Sequence, residues 1–140
     1  MALVYFDASA LVKLLVDEEG SDLAAALWDG CDSALSSRLS YPEVRSALAA
    51  AARDHRIGSH FSRKVQRDWE RFWSAIQPVE LTAAVERHAG ELASIYSLRG
   101  ADAIHLASAL AIEQPDLIVG VWDHRLREGV LSAGLRVAPV

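Results

Sequence analysis

The chain has 140 residues, 51% hydrophobic and 24% charged, a globular composition that excludes disordered, fibrous and collagen-like classes. Its formal charge of −5 argues against a generally basic nucleic-acid coat, and a lone cysteine, Cys31, excludes an internal disulfide. Met1-Ala-Leu-Val-Tyr-Phe lacks the basic segment of a signal peptide, and no apolar run approaches the roughly 18 residues of a membrane span, so a cytoplasmic location is expected.

Leu3–Phe6 is a short, β-rich apolar run that suits a buried parallel strand. Leu11, Leu14 and Leu15 follow at helical spacing, and Ser21 is placed to cap a second helix that Gly30 ends. Ser33–Ser36 is a weak strand. Ser40-Tyr-Pro-Glu43 has the spacing of a capping box with Pro42 in the first turn, and it opens an alanine-rich helix that Arg56-Ile-Gly58 breaks. The next helix is expected from about Ser59 to Ala75, with Phe61, Val65, Trp69, Phe72 and Trp73 on its apolar side, forming a hairpin with the one before. Pro78–Leu81 reads as a strand, Thr82 as the cap of a helix reaching about Leu98, and Asp102 to Glu113 as a further helix. Leu117–Trp122 is the second clear buried strand, Arg125–Ser132 a short helix and Leu135–Val137 a last strand.

Strands alternate with helices and no hairpin-turn signal joins any two of them. The pattern predicts an α/β fold of three layers: a mostly parallel sheet of about five short strands, helices on both faces and a protruding helical hairpin, all in one domain over residues 1–140. Charge is unevenly spread. Arg53 to Arg71 holds six basic and three acidic residues, a net +3, which leaves −8 for the rest of the chain.

Four carboxylates stand at element ends, and each taken singly has a structural explanation. Asp7 follows the first strand, where it or Ser9 can cap a helix; Glu43 completes the capping box; Asp102 precedes a helix; Asp123 leaves a strand. Taken together they point elsewhere. In an open parallel sheet, ligands bind outside the carboxyl ends of the strands, near the switch in strand order. Strand exits (Asp7, Asp123) and helix starts (Glu43, Asp102) both face that edge, so all four can meet in one cleft. Such a cluster repels itself unless protons or a cation compensate it. Oxygen-only donors select a hard cation, magnesium or manganese, over zinc.

Asp7-Ala-Ser-Ala-Leu-Val-Lys-Leu, Tyr41-Pro-Glu43-Val-Arg-Ser-Ala-Leu, Asp102-Ala-Ile-His-Leu-Ala-Ser-Ala-Leu and Trp122-Asp123-His-Arg-Leu with Gly134-Leu-Arg-Val occur in that order and span nearly the whole chain. This ordered set resembles the PIN-domain ribonucleases, and its compact length is similar to the VapC-type toxins of toxin–antitoxin pairs. It departs from the pattern at Gly129-Val130, where alanines are expected.

The resemblance implies a magnesium-dependent endoribonuclease, with manganese as an alternative ion, whose metal ligands and catalytic groups are Asp7, Glu43, Asp102 and Asp123. Asp7 and Asp102 are the principal ligands in this reading, and Ser9 supports them with its hydroxyl. It further implies a structured RNA substrate such as transfer or ribosomal RNA, a homodimer, and an antitoxin with a helical segment seated in a groove. Trp28, Trp69, Phe72 and Trp73 read mostly as core, with some of them left over to line a dimer interface or that groove. Arg63, Lys64 and Arg67 become candidates for RNA phosphate contact, against the alternative of an ordinary charged helix face. His105 reads as a structural histidine beneath the site. Other readings remain: a receiver-type magnesium-binding module, although Lys13 and Lys64 are the only lysines and neither follows a late strand; a phosphatase with Asp-x-Asp after the first strand, where this chain has Asp7-Ala-Ser9; or a PIN-like module that binds without cutting.

Overall fold

The computed structural model describes residues 1–140. Its elements are β1 (Leu3–Phe6), α1 (Ala8–Lys13), α2 (Ser21–Gly30), β2 (Ser33–Ser37), α3 (Ser40–Arg53), α4 (Ser59–Ala75), β3 (Gln77–Val79), α5 (Ala83–Tyr96), α6 (Gly100–Ala111), β4 (Ile118–Gly120), α7 (His124–Ser132) and β5 (Arg136–Ala138). All five strands are parallel, in the order β3-β2-β1-β4-β5. The apolar runs of β1 and β4 lie in the middle of the sheet. β3 carries Pro78, which cannot donate to a ladder and is tolerated at this edge.

Alternation along β1 divides the core. Val4 and Phe6 face a cluster with Leu11, Val44, Leu48, Val65 and Trp69, under α1 to α4. Tyr5 faces the other, with Val85, Leu92, Leu106, Leu117 and Leu126, under α5 to α7. Each fully buried large side chain contributes about 1.5–3 kcal/mol. The sheet is thus covered on both faces and the three layers are present. No helix is long and apolar enough to cross a membrane.

The helical hairpin forms as the sequence predicts. Tyr41, near the start of α3, stacks on Trp69 near the end of α4, with ring centroids 5.9 Å apart at 28°, so the two helices run antiparallel. Asp54, His55, Arg56 and Gly58 in its turn are exposed. Phe61 departs from expectation: it is 41% exposed, one turn from the hairpin tip, where no neighbouring element covers it.

Two helix starts also differ. Ser21 does not cap α2; Gly20 holds the cap position at φ +91°, and Ser21 Oγ donates to Val16 O and accepts from Glu18 N, both at 3.0 Å. A Cβ on Gly20 would fall 2.7 Å from Trp122 Nε1, so glycine is required there for space as well as for its backbone. The capping box does not form either. Ser40 is fully buried, its hydroxyl bonded at 2.6 Å to Ser36 Oγ, which itself donates to Phe6 O. α3 therefore begins with Leu39 in the cap position and without a side-chain cap, and Glu43 is free to turn elsewhere.

Candidate metal centre

The strand order reverses between β1 and β4, since β2 and β3 lie to one side of β1 and β4 and β5 to the other. The crevice at their carboxyl ends is where a parallel sheet binds ligands. Asp7 stands at the exit of β1. It caps α1 by accepting the Ala10 N–H at 2.9 Å, and Ser9 Oγ donates to both of its oxygens at 2.9 Å each. It is also 5% exposed. Burial pushes its carboxyl up from the ordinary range and the charge of Glu43 adds to this; the His105 ring, the Ala10 N–H and the Ser9 hydroxyl oppose the shift without cancelling it. Desolvation wins. The cap and the buried charge coexist in one residue.

Glu43 sits in the first turn of α3. Released from the capping box, its Oε1 lies 2.7 Å from His105 Nε2, while His105 Nδ1 lies 2.7 Å from the Tyr5 hydroxyl. His105 is 3% exposed and Tyr5 0%. The histidine that the sequence places one helical turn from Asp102 thus meets Glu43 instead, 62 positions away.

Asp102 lies in the first turn of α6 and is 8% exposed. It is not the helix cap; Arg99 is, and Arg99 Nε donates to Asp102 Oδ2 at 3.0 Å. Asp123 caps α7 through the Leu126 N–H at 2.9 Å, and Arg99 also reaches its Oδ2 at 3.4 Å. One guanidinium therefore spans two of the four carboxylates. Asp7 and Asp123 follow β1 and β4, and Glu43 and Asp102 lie in the first turns of α3 and α6, so all four stand toward the carboxyl edge of the sheet.

These side chains serve caps, ion pairs and the His105 bond, and no three of them stand close enough together to form one coordination sphere. The donor chemistry nevertheless fits a hard divalent cation. All four are carboxylates, and the most deeply buried of them, Asp7, has a hydroxyl and a backbone N–H as its hydrogen-bond donors and no lysine or arginine. A cation nearby would favour its ionised form.

Arg63 and Arg67 are exposed on α4 and make no ion pair, whereas Lys64 is bound to Asp68 at 2.6 Å. Lys13 pairs with Glu18 at 3.2 Å and lies over the Trp122 ring, 5.3 Å from its centroid. His124 opens α7 on the surface, 3.8 Å from Glu128. Sequence reasoning missed two residues. Arg99 had a signal, since positions three apart on a helix are neighbours. Tyr5 had none, because a buried strand tyrosine looks like core.

A PIN-domain family model matches residues 4–119. The chain is 66% identical over 139 residues to two curated proteins of Mycobacterium tuberculosis, Ribonuclease VapC45 of strain CDC 1551 / Oshkosh and Ribonuclease VapC49 of strain ATCC 25618 / H37Rv, covering 99% of this chain and 96% of each. Among solved structures it is similar to Mycobacterium tuberculosis VapC20, a sarcin-ricin loop cleaving toxin, with TM-score 0.68 and 17% identity over 94% of this chain and 95% of that one. It is similar also to VapBC2 of Rickettsia felis bound to a promoter DNA fragment, with TM-score 0.68 and 11% identity over 96% of both chains. At such identities the solved structures speak for the fold.

Proposed function

This chain belongs to the PIN-domain family and is an endoribonuclease, the toxin member of a toxin–antitoxin pair, and we propose that it hydrolyses RNA at the β1–β4 crevice, with Asp7 and Asp102 as principal ligands of a magnesium ion. Glu43 and Asp123 complete the ligand set, and manganese can replace magnesium. What supports this reading is that all four carboxylates stand at element ends on the carboxyl edge of the sheet, beside the topological switch, with Asp7 buried there.

The chemistry a divalent cation supplies when bound there is activation of the attacking water near neutral pH and neutralisation of charge on the phosphoryl oxygens. The chain's own residues set the geometry. Ser9 fixes both oxygens of Asp7, the Ala10 N–H holds one of them, and α6 carries Asp102 in its first turn. The unpaired Arg63 and Arg67 are the better candidates for phosphate contact, and Lys64 the weaker, since Asp68 already neutralises it.

In this reading residues 1–140 form one PIN domain, with β5 beyond the matched span completing the sheet against β4. The macromolecular partner is an antitoxin. We assign its docking segment to the groove lined by Leu14, Trp28 and Phe72 together with Asp68 and its ion-pair partners Lys64 and Arg71. A homodimer acting in the cytoplasm on transfer or ribosomal RNA completes the proposal.

The test is cleavage of RNA with and without magnesium. Asp7→Asn and Asp102→Asn are each expected to lower magnesium-dependent cleavage at least about a hundredfold, with a metal-free melt near that of the wild type for Asp102→Asn and no lower than it for Asp7→Asn. Full activity in either variant removes that residue from the mechanism.

A further inference from the structure

Behind Glu43 lies a buried hydrogen-bond chain whose length suits more than packing. The Tyr5 hydroxyl is 2.7 Å from His105 Nδ1, and His105 Nε2 is 2.7 Å from Glu43 Oε1. Tyr5 and His105 are 0% and 3% exposed, so water does not compete for either ring nitrogen. An ionised carboxylate only accepts, so Nε2 carries the proton that Glu43 receives. In a neutral imidazole the other nitrogen then accepts, and Tyr5 is its donor. The chain from Tyr5 through His105 to Glu43 has one direction and selects one tautomer.

We propose that Tyr5 and His105 are positioning residues for Glu43: together they fix the Nε2–H tautomer, anchor one carboxylate oxygen and leave Oε2 for the cation. The inference rests on the reading of Glu43 as a metal ligand given above.

Three features separate this role from plain core packing. A phenylalanine at position 5 would fill nearly the same space, whereas a buried hydroxyl costs desolvation unless it is bonded. Glu43 carries the spacing of a capping box yet bonds His105 instead. Its side chain is 30% exposed and no protein group takes Oε2, so it is anchored from behind and open in front. α6 thereby serves the site twice. It presents Asp102 itself and, one turn later, the imidazole that orients an acid from α3. A carboxylate whose orientation is fixed by an outer partner binds metal more tightly than a freely rotating one, and loss of such partners costs roughly 10–100-fold in affinity.

The experiment uses the full chain with Mn2+ as the probe, read by electron paramagnetic resonance, and 1H–15N spectra of the His105 ring in the metal-free protein. Tyr5→Phe keeps the ring and leaves Nδ1 without a donor. The wild-type ring is expected in the Nε2–H form. In Tyr5→Phe the two tautomers should mix and Mn2+ affinity should fall about tenfold, with Glu43→Gln falling at least as far. His105→Gln is the companion variant; if it fails to fold, Tyr5→Phe alone decides. If Glu43→Gln weakens Mn2+ binding while Tyr5→Phe binds as the wild type does, the positioning role is overturned and the ligand reading stands. If Asp7→Asn weakens binding and Glu43→Gln does not, Glu43 is no ligand and the inference falls with that part of the reading. A wild-type ring found in the Nδ1–H form also overturns it.

Discussion

Arg99 is the residue on which the electrostatics of the cleft turns. Its guanidinium spans Asp102 and Asp123 at 3.0 and 3.4 Å, with its side chain 66% exposed. A divalent cation that takes the same two carboxylates must compete with it, because both positive charges draw on the same oxygens. Arg99→Ala is therefore expected to tighten Mn2+ binding several-fold, and Arg99→Lys, which keeps the charge but loses the planar fork, to fall between the two. Titration calorimetry at constant ionic strength measures this; equal affinities in all three proteins would make the pairs ordinary surface contacts. Arg99 also shows how far single residues were legible. Its link to Asp102 spans three positions on one helix and lies within reach of sequence reasoning. The link from His105 to Glu43 spans 62 positions and does not. Local spacing allowed Glu43 a capping box, and only the burial of Ser40 against Ser36 withdrew it.

At the scale of the element, α4 has two faces with different work. Val65 and Trp69 are buried, while Arg63 and Arg67, one helical turn apart, stay exposed and unpaired. Loss of phosphate contacts flattens the salt dependence of binding, by roughly 0.7 in log–log slope for each contact on a single strand. Arg63→Gln with Arg67→Gln is expected to lower the slope by about 1.4, and Lys64→Gln by less, because Asp68 already holds that ammonium. Fluorescence anisotropy with labelled RNA across a salt series reads the slope; no change in the double variant would leave α4 a plain solvated helix. The limits of α4 were legible because its period is strong and Gly58 precedes it. Thr82 likewise marked the start of α5, and its hydroxyl does accept the Val85 N–H at 3.1 Å. The edge strands were legible only in outline: β3 and β5 have three residues each, too few for a period to declare itself. Strand order was not legible at all, since pairing joins segments far apart in the chain. That order decides which carboxylates share a crevice.

Over the whole molecule, the buried carboxylate of Asp7 sets stability against function. Its value in the folded chain is raised, so on raising the pH the unfolded chain gives up this proton first. Stability is therefore lost as the pH climbs from the ordinary carboxylate range through the raised value of Asp7, and the loss is constant above it. Asp7→Asn removes that loss and keeps an oxygen for the Ala10 N–H. Without metal, the variant is expected to melt with the wild type in strong acid and above it near neutrality, the gap opening across that window. Magnesium should reverse the order. A ligand at a hundredfold excess over its Kd stabilises the wild type by about 2.7 kcal/mol, on the order of 10 °C for a chain of this size. The variant, short of a principal ligand, gains little. Four melts, each protein in chelator and in magnesium, show whether the curves cross. A wild type that magnesium does not shift would mean that no cation settles among these carboxylates. A variant that melts below it in chelator near neutrality would mean that the capping bonds of Asp7 outweigh the cost of burying its charge.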